Sequence, residues 1–151
     1  MLIATAIVLH VLHQTAHEIV VLKPAGLACE LPRDARADSL VRRLADAGFG
    51  DLRLVHRLDA PACGLLVVAR TAAAAAHYSR EIAARQWHKW YVARVAAEPD
   101  DARALIGTHK AYLKTVGQHA LVVRSGGKPS FLDVVAAAAA PRVTTAHAAN
   151  G

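Results

Sequence analysis

Leu54-Val55-His56-Arg57-Leu58-Asp59-Ala60-Pro61-Ala62-Cys63-Gly64-Leu65-Leu66-Val67-Val68-Ala69 is the stretch whose reading decides the fold. Two apolar residues lead into His56, Arg57 and Asp59, and Pro61 and Gly64 then break the local backbone. The pattern predicts a strand ending at Val55 and a second, fully buried strand beginning at Leu65. Asp59 falls on the connection, with rigid elements on both sides, where scaffolds present reactive side chains. A plainer account stands beside this one: a turn aspartate making a local backbone bond, with Arg57 as its surface ion partner.

Working outward toward the N-terminus, residues 1–12 are apolar, and Ile7, Leu9 and Val11 alternate with Val8, His10 and Leu12. No Lys or Arg precedes them and the run is too short to span a bilayer, so an interior strand is expected instead of a leader. Ile19-Val20-Val21-Leu22 reads as a short buried strand, ended by the turn Lys23-Pro24-Ala25-Gly26. That turn places Lys23 at a strand end, facing whatever lies over it. Residues 33–38 are polar and read as a surface loop. Asp38 or Ser39 can cap a helix whose apolar face is Leu40, Val41, Leu44 and Ala45, closed by Gly48, with Arg42 and Arg43 outward.

On the C-terminal side, Thr71 opens an alanine-rich helix over 72–84 with a bulkier face at Tyr78 and Ile82. Residues 87–96 alternate again and predict a strand, with Trp87, Lys89, Tyr91, Ala93 and Val95 on one face. A polar connection over 98–103 follows. A strand is expected over 120–124 and a turn over 125–129, and 131–135 reads as a strand in preference to the start of a helix. From residue 136 the chain is low in complexity and reads as a loose tail.

A chain of 151 residues suits one domain, and folding buries about 70 % of the unfolded surface at that size. Lys and Arg number 18 against 12 Asp and Glu, a formal charge of +6 that favours a polyanionic partner. Cys29 and Cys63 give neither a disulfide framework nor a zinc site, which points to a reduced, cytoplasmic setting. His10, His13 and His17 do not make a metal site, because His10 and His13 point to opposite faces of a regular strand. Gly127-Lys128 lacks the upstream glycine and following Ser/Thr of a phosphate loop, and no nucleophile-elbow pattern is present. Cys63 reads as an inert thiol. Lys89 and Tyr91 are either a mixed core-and-rim pair or an aromatic platform beside a cation.

Taken in order, Lys23-Pro24-Ala25-Gly26, His56-Arg57-Leu58-Asp59, Gly64-Leu65-Leu66-Val67-Val68-Ala69 and Lys89-Trp90-Tyr91-Val92-Ala93 resemble the RluA-type family of RNA pseudouridine synthases. Gly126-Gly127-Lys128-Pro129-Ser130 is similar to a later segment of some members. The resemblance implies an α+β fold with a mixed, largely antiparallel sheet and flanking helices. It implies a nucleophilic role for Asp59, stacking of Tyr91 on the target uracil, and Arg57 helping to displace the flipped base, all in one cleft. Lys23, Arg42, Arg43, Arg85 and Lys89, with Arg94, are then available to RNA phosphates. No cofactor, metal or membrane is called for, and the substrate class is a uridine in rRNA or tRNA, with the oligomeric state open.

Two departures accompany the match. Pro61-Ala62-Cys63-Gly64 stands where the family commonly has hydroxyl residues before the glycine. Nothing after Val134 resembles the family's G-R-x-H-Q-I-R-type segment, whose basic residue pairs with the catalytic aspartate. The expectation is therefore a partial catalytic domain over 1–135, truncated at its C-terminus, and a disordered tail over 136–151. The alternative is a catalytically impaired remnant that still binds RNA.

Overall fold

The computed structural model describes residues 9–30, 38–96, 103–117 and 119–139. They divide into two units, Met1–Lys89 and Trp90–Gly151. Residues 1–8, the expected loop over 31–37, the connection over 97–102 and the tail from 140 lie outside the described residues.

The first unit is a four-stranded antiparallel sheet in the order β1-β2-β4-β3 with two helices: β1 His10–Gln14, β2 Glu18–Lys23, α1 Leu40–Leu44, β3 Arg53–Leu54, β4 Gly64–Ala69 and α2 Ala72–Ala83. Its core follows from alternation. Ile19 and Val21 of β2 and Leu66 and Val68 of β4 point to one face and are fully buried against Leu40 and Leu44 of α1. Each such side chain contributes about 1.5–3 kcal/mol by leaving water. Both helices start where a hydroxyl can cap them. Ser39 Oγ accepts from the Arg42 amide at 3.3 Å, and Thr71 Oγ1 accepts from the Ala74 amide at 3.1 Å. Gly48, at φ 87°, closes a widened turn over Ala45–Phe49 that follows α1.

Several expectations change here. The strand before Asp59 stops at Leu54, and the one after it begins at Gly64. β4 is buried on one face only, because Leu65 remains 58 % exposed on the other. The N-terminal strand is an edge, not interior: β1 starts at His10 and is largely exposed. A bulge between Val11 and His13 adds one residue, so His10 pairs with Leu22 and His13 with Val20. Leu22 and Val20 share a face, and the bulge therefore brings the two histidines to the same side. No group of three or more His, Cys, Asp or Glu among the described residues could hold a metal ion.

The second unit contains a three-stranded antiparallel sheet, order β6-β5-β7, with β5 Gly107–Val116, β6 His119–Val123 and β7 Lys128–Val134. β5 lies in the middle and has no counterpart in the sequence reading. The turn before β7 is shorter than expected, since Lys128 and Pro129 already pair with Leu113 and Tyr112. Gly127 is required there. A side-chain carbon at that position would come within 2.7 Å of Val123 Cγ2 and 3.0 Å of the Leu113 backbone. Residues 87–96 are irregular and mostly exposed, not a strand. Alternation alone does not make a strand, and no described segment pairs with this one. No helix among the described residues is long and apolar enough to cross a membrane.

Candidate active site

Asp59 is exposed on the loop between β3 and β4. Three groups from the end of β2 and the chain segment after it hold that loop from behind. Gly26 N–H donates to the Ala60 carbonyl at 2.7 Å, and Lys23 Nζ reaches the same oxygen at 3.2 Å. A carbonyl has two lone pairs, and both are used. Cys29 supplies the third hold. Its Sγ accepts from the Leu58 amide at 3.3 Å and lies 3.1 Å from the Leu58 carbonyl, to which the thiol donates. The residues on both sides of Asp59 are thus bonded while its side chain faces solvent. Ala62 N–H closes the turn on the Asp59 carbonyl at 3.0 Å.

Lys23 corrects the sequence reading most sharply. Expected to face RNA, it is fully buried, and its ammonium donates to the carbonyls of Leu27 at 2.6 Å, Pro24 at 2.9 Å and Ala60. Three donors meet three acceptors, which is how a buried ammonium avoids the full cost of leaving water. Lys23 therefore ties the Lys23-Pro24-Ala25-Gly26 turn to the Asp59 loop instead of contacting a phosphate.

His56 anchors the near end of the same loop. Its Nε2 accepts from the Val67 amide of β4 at 3.0 Å, taking the place of a strand carbonyl where β3 has ended. Burial first, and the Lys89 charge second, push the ring below its ordinary pKa of 6.5, toward the neutral form that acceptance requires. Trp87 packs edge-on against His56 at 5.3 Å, and Tyr78 of α2 packs on Trp87 at 5.6 Å. Gly64 completes the hinge into β4. At φ 151°, a side-chain carbon there would also press on Leu58 Cδ1 at 3.4 Å.

Arg57 is exposed on the loop, and no ion pair joins it to Asp59 among the described residues. Arg42 and Arg43 engage acids next to α1. Arg43 bonds Asp38, whose carboxyl is held below its ordinary range by that contact, and Arg42 Nε lies 4.0 Å from Asp46. Arg85, at φ 56° just after α2, and Lys89 are exposed. Tyr91 is exposed in the second unit. An open cavity of about 370 Å³ lies at the other end of the first sheet, lined by His17, Glu18, His77 and Tyr78. It is remote in register from the Asp59 loop, since Glu18 pairs with Ala69 while Lys23 pairs with Gly64.

Sequence reasoning placed Asp59 on its loop but gave no role to Cys29 or to the His56 ring. Cys29 follows the turn glycine by three residues, and nothing in that spacing signals a thiol bonded to Leu58.

The model of the RNA pseudouridylate synthase family matches residues 17–144, spanning both units. The chain belongs to this family. Among its relatives, the dual-specificity RNA pseudouridine synthase RluA of Salmonella typhi is 38 % identical over 97 residues, covering 64 % of this chain and 44 % of that protein. RNA pseudouridine synthase 7 of Arabidopsis thaliana is 36 % identical over 86 residues, 56 % of this chain and 22 % of that protein. The chain therefore spans less than half the length of these curated relatives. A solved structure of human RNA pseudouridylate synthase domain containing 4 aligns with a TM-score of 0.49 at 19 % identity, over 80 % of this chain and 50 % of that one. The α+β class and the family both agree with the sequence reading.

Proposed function

We propose that this chain isomerises uridine to pseudouridine in RNA, with Asp59 as the nucleophile. The observation that carries the reading is the construction of the Asp59 loop. A carboxylate is offered to solvent while the residues on either side are held by Lys23, Gly26 and Cys29. Such preorganisation is what an attacking group needs.

In the reaction, the bond from uracil N1 to ribose C1′ breaks, the ring turns, and C5 bonds to C1′. N1 gains a proton and C5 loses one to solvent, so atoms balance without an added reactant. Arg57 displaces the flipped base and Tyr91 stacks on it. Arg42, Arg43, Arg85 and Lys89 contact phosphates in rRNA or tRNA, with Arg42 and Arg43 weakened in that task by their acid partners. Residues 1–135 serve as the catalytic domain and 136–151 as its tail, in a reducing, cytoplasmic setting that suits the free thiols of Cys29 and Cys63.

A second reading, RNA binding without turnover, is favoured by one observation: no cation pairs with the Asp59 carboxylate among the described residues. RNA tritiated at uracil C5 separates the two. Wild type releases tritium and Asp59→Asn does not, while both bind RNA with an affinity that falls steeply as salt rises. Equal absence of release from both proteins establishes the second reading. Undiminished release by Asp59→Asn removes Asp59 from the chemistry.

A further inference from the structure

We propose that one face of the β6-β5-β7 sheet, built around Lys110, Tyr112, Lys114 and Phe131, is a docking platform for single-stranded RNA. The proposal rests on the RNA partner argued above, but not on the chemistry of Asp59. Strand register decides which side chains share a face. Lys110 pairs with Phe131, Tyr112 with Val123 and Pro129, and Lys114 with Leu121. Side chains alternate along β5, so these residues stand together on one side. The other side carries His109, Leu113, Val122, Lys128, Leu132 and Val134, and no Phe, Tyr or Trp ring.

Both rings are open to solvent, Phe131 at 64 % and Tyr112 at 37 %. In register they are diagonal neighbours, about 7–8 Å apart. The Lys110 ammonium lies between them, 5.1 Å from the Tyr112 centroid and 5.6 Å from the Phe131 centroid. An exposed ring offers a stacking surface to any base, and a cation stationed between two rings meets the phosphate that joins two stacked bases. Charge agrees with that occupant. The face itself holds Lys110 and Lys114 against the single acid Asp133, while Lys128 stands on the other side and Arg124 in the turn between β6 and β7. Asp133 stands on the same face, the next position beyond Phe131 along β7, and its carboxylate accepts from the Thr108 hydroxyl at 2.6 Å. An apolar protein partner would find two lysines in the middle of its footprint, whereas a polyanion gains from them.

The test is fluorescence anisotropy of a labelled single-stranded oligouridylate with the full chain. Phe131→Leu keeps apolar bulk and removes the ring, so binding weakens on the order of tenfold. Phe131→Trp restores it. Lys110→Gln with Lys114→Gln weakens binding and flattens its salt dependence. Leu132→Ala, on the opposite face, leaves it unchanged. The proposal is overturned if wild type does not bind the oligonucleotide, if Phe131→Leu binds as wild type does, or if Leu132→Ala weakens binding as much. It is also overturned if sedimentation shows that Phe131 instead sustains self-association of the chain. Tritium release on the same samples separates the claims. Asp59-dependent release with Phe131-independent binding sinks only the platform, and Phe131-dependent binding without release sinks only the enzyme reading.

Discussion

β4 in the first unit and β5 in the second are both central strands of antiparallel sheets, yet they end in opposite states. Leu66 and Val68 of β4 are fully buried beneath Leu40 and Leu44 of α1. β5 has no buried residue, and its rings and lysines face solvent. Every buried residue among those described belongs to the first unit. Alternation sets which residues share a face, but only a covering helix turns that face into a core. The covered sheet can hold a loop in fixed geometry, and the uncovered one presents surface. That division is what the proposed roles require, a reactive carboxylate on one unit and a stacking platform on the other.

The contrast breaks most directly by mutation of the two sheets. Leu66→Ala should destabilise the first unit by about 2–5 kcal/mol in urea unfolding, because it opens a cavity in a closed core. Leu121→Ala on the exposed face of β6 should cost no more than about 0.5 kcal/mol. Equal costs would mean that the second sheet is as well covered as the first.

Next in size is Lys23→Met, which fits the space but leaves the carbonyls of Leu27, Pro24 and Ala60 without their donor. We expect a loss of about 1–3 kcal/mol and slower tritium release as the Asp59 loop loosens. Unchanged stability and turnover would show that Lys23 does not hold the loop.

His56 sharpens the comparison through pH. Its folded pKa lies below the ordinary 6.5, so the unfolded chain binds more protons over the interval between the two values. Stability from this group is therefore fully present above the unfolded value and is lost as pH falls through the lowered folded one. His56→Gln should flatten that part of the stability profile, and an unaltered profile would exclude the buried His56 ring as its source. Within the first unit, the smallest effects belong to the caps. Ser39→Ala and Thr71→Ala should each cost about 1 kcal/mol by leaving a helix amide without its acceptor.

What the sequence made legible was the local part of this design. β2, β4, both caps and the Asp59 loop follow from alternation, hydroxyls before apolar runs, and the Pro61 and Gly64 breaks. Contacts between distant segments were hidden. The burial of Lys23 depends on three carbonyls, one of them 37 positions away, and a lysine at a strand end ordinarily faces water. The shared face of His10 and His13 depends on a single extra residue in β1. β5 escaped because Lys, His and Ala occupy many of its positions, so its pattern lacks the aromatic density that also marks strands. Residues 87–96 have that density and no strand partner among the described residues. Propensity misled in both places, because pairing decided the outcome.

Amide hydrogen exchange tests the central claim, that the Asp59 loop is held from behind by the turn after β2 and by Cys29. The Gly26, Leu58 and Val67 amides donate to Ala60, Cys29 and His56, respectively. They should exchange as slowly as the paired amides within β2 and β4, opening only with the first unit as a whole. The β6 and β7 amides should exchange faster, because no core covers their sheet. Fast exchange at Gly26 and Leu58, at the rate of an open loop, would contradict the account and leave Asp59 on an unsupported turn.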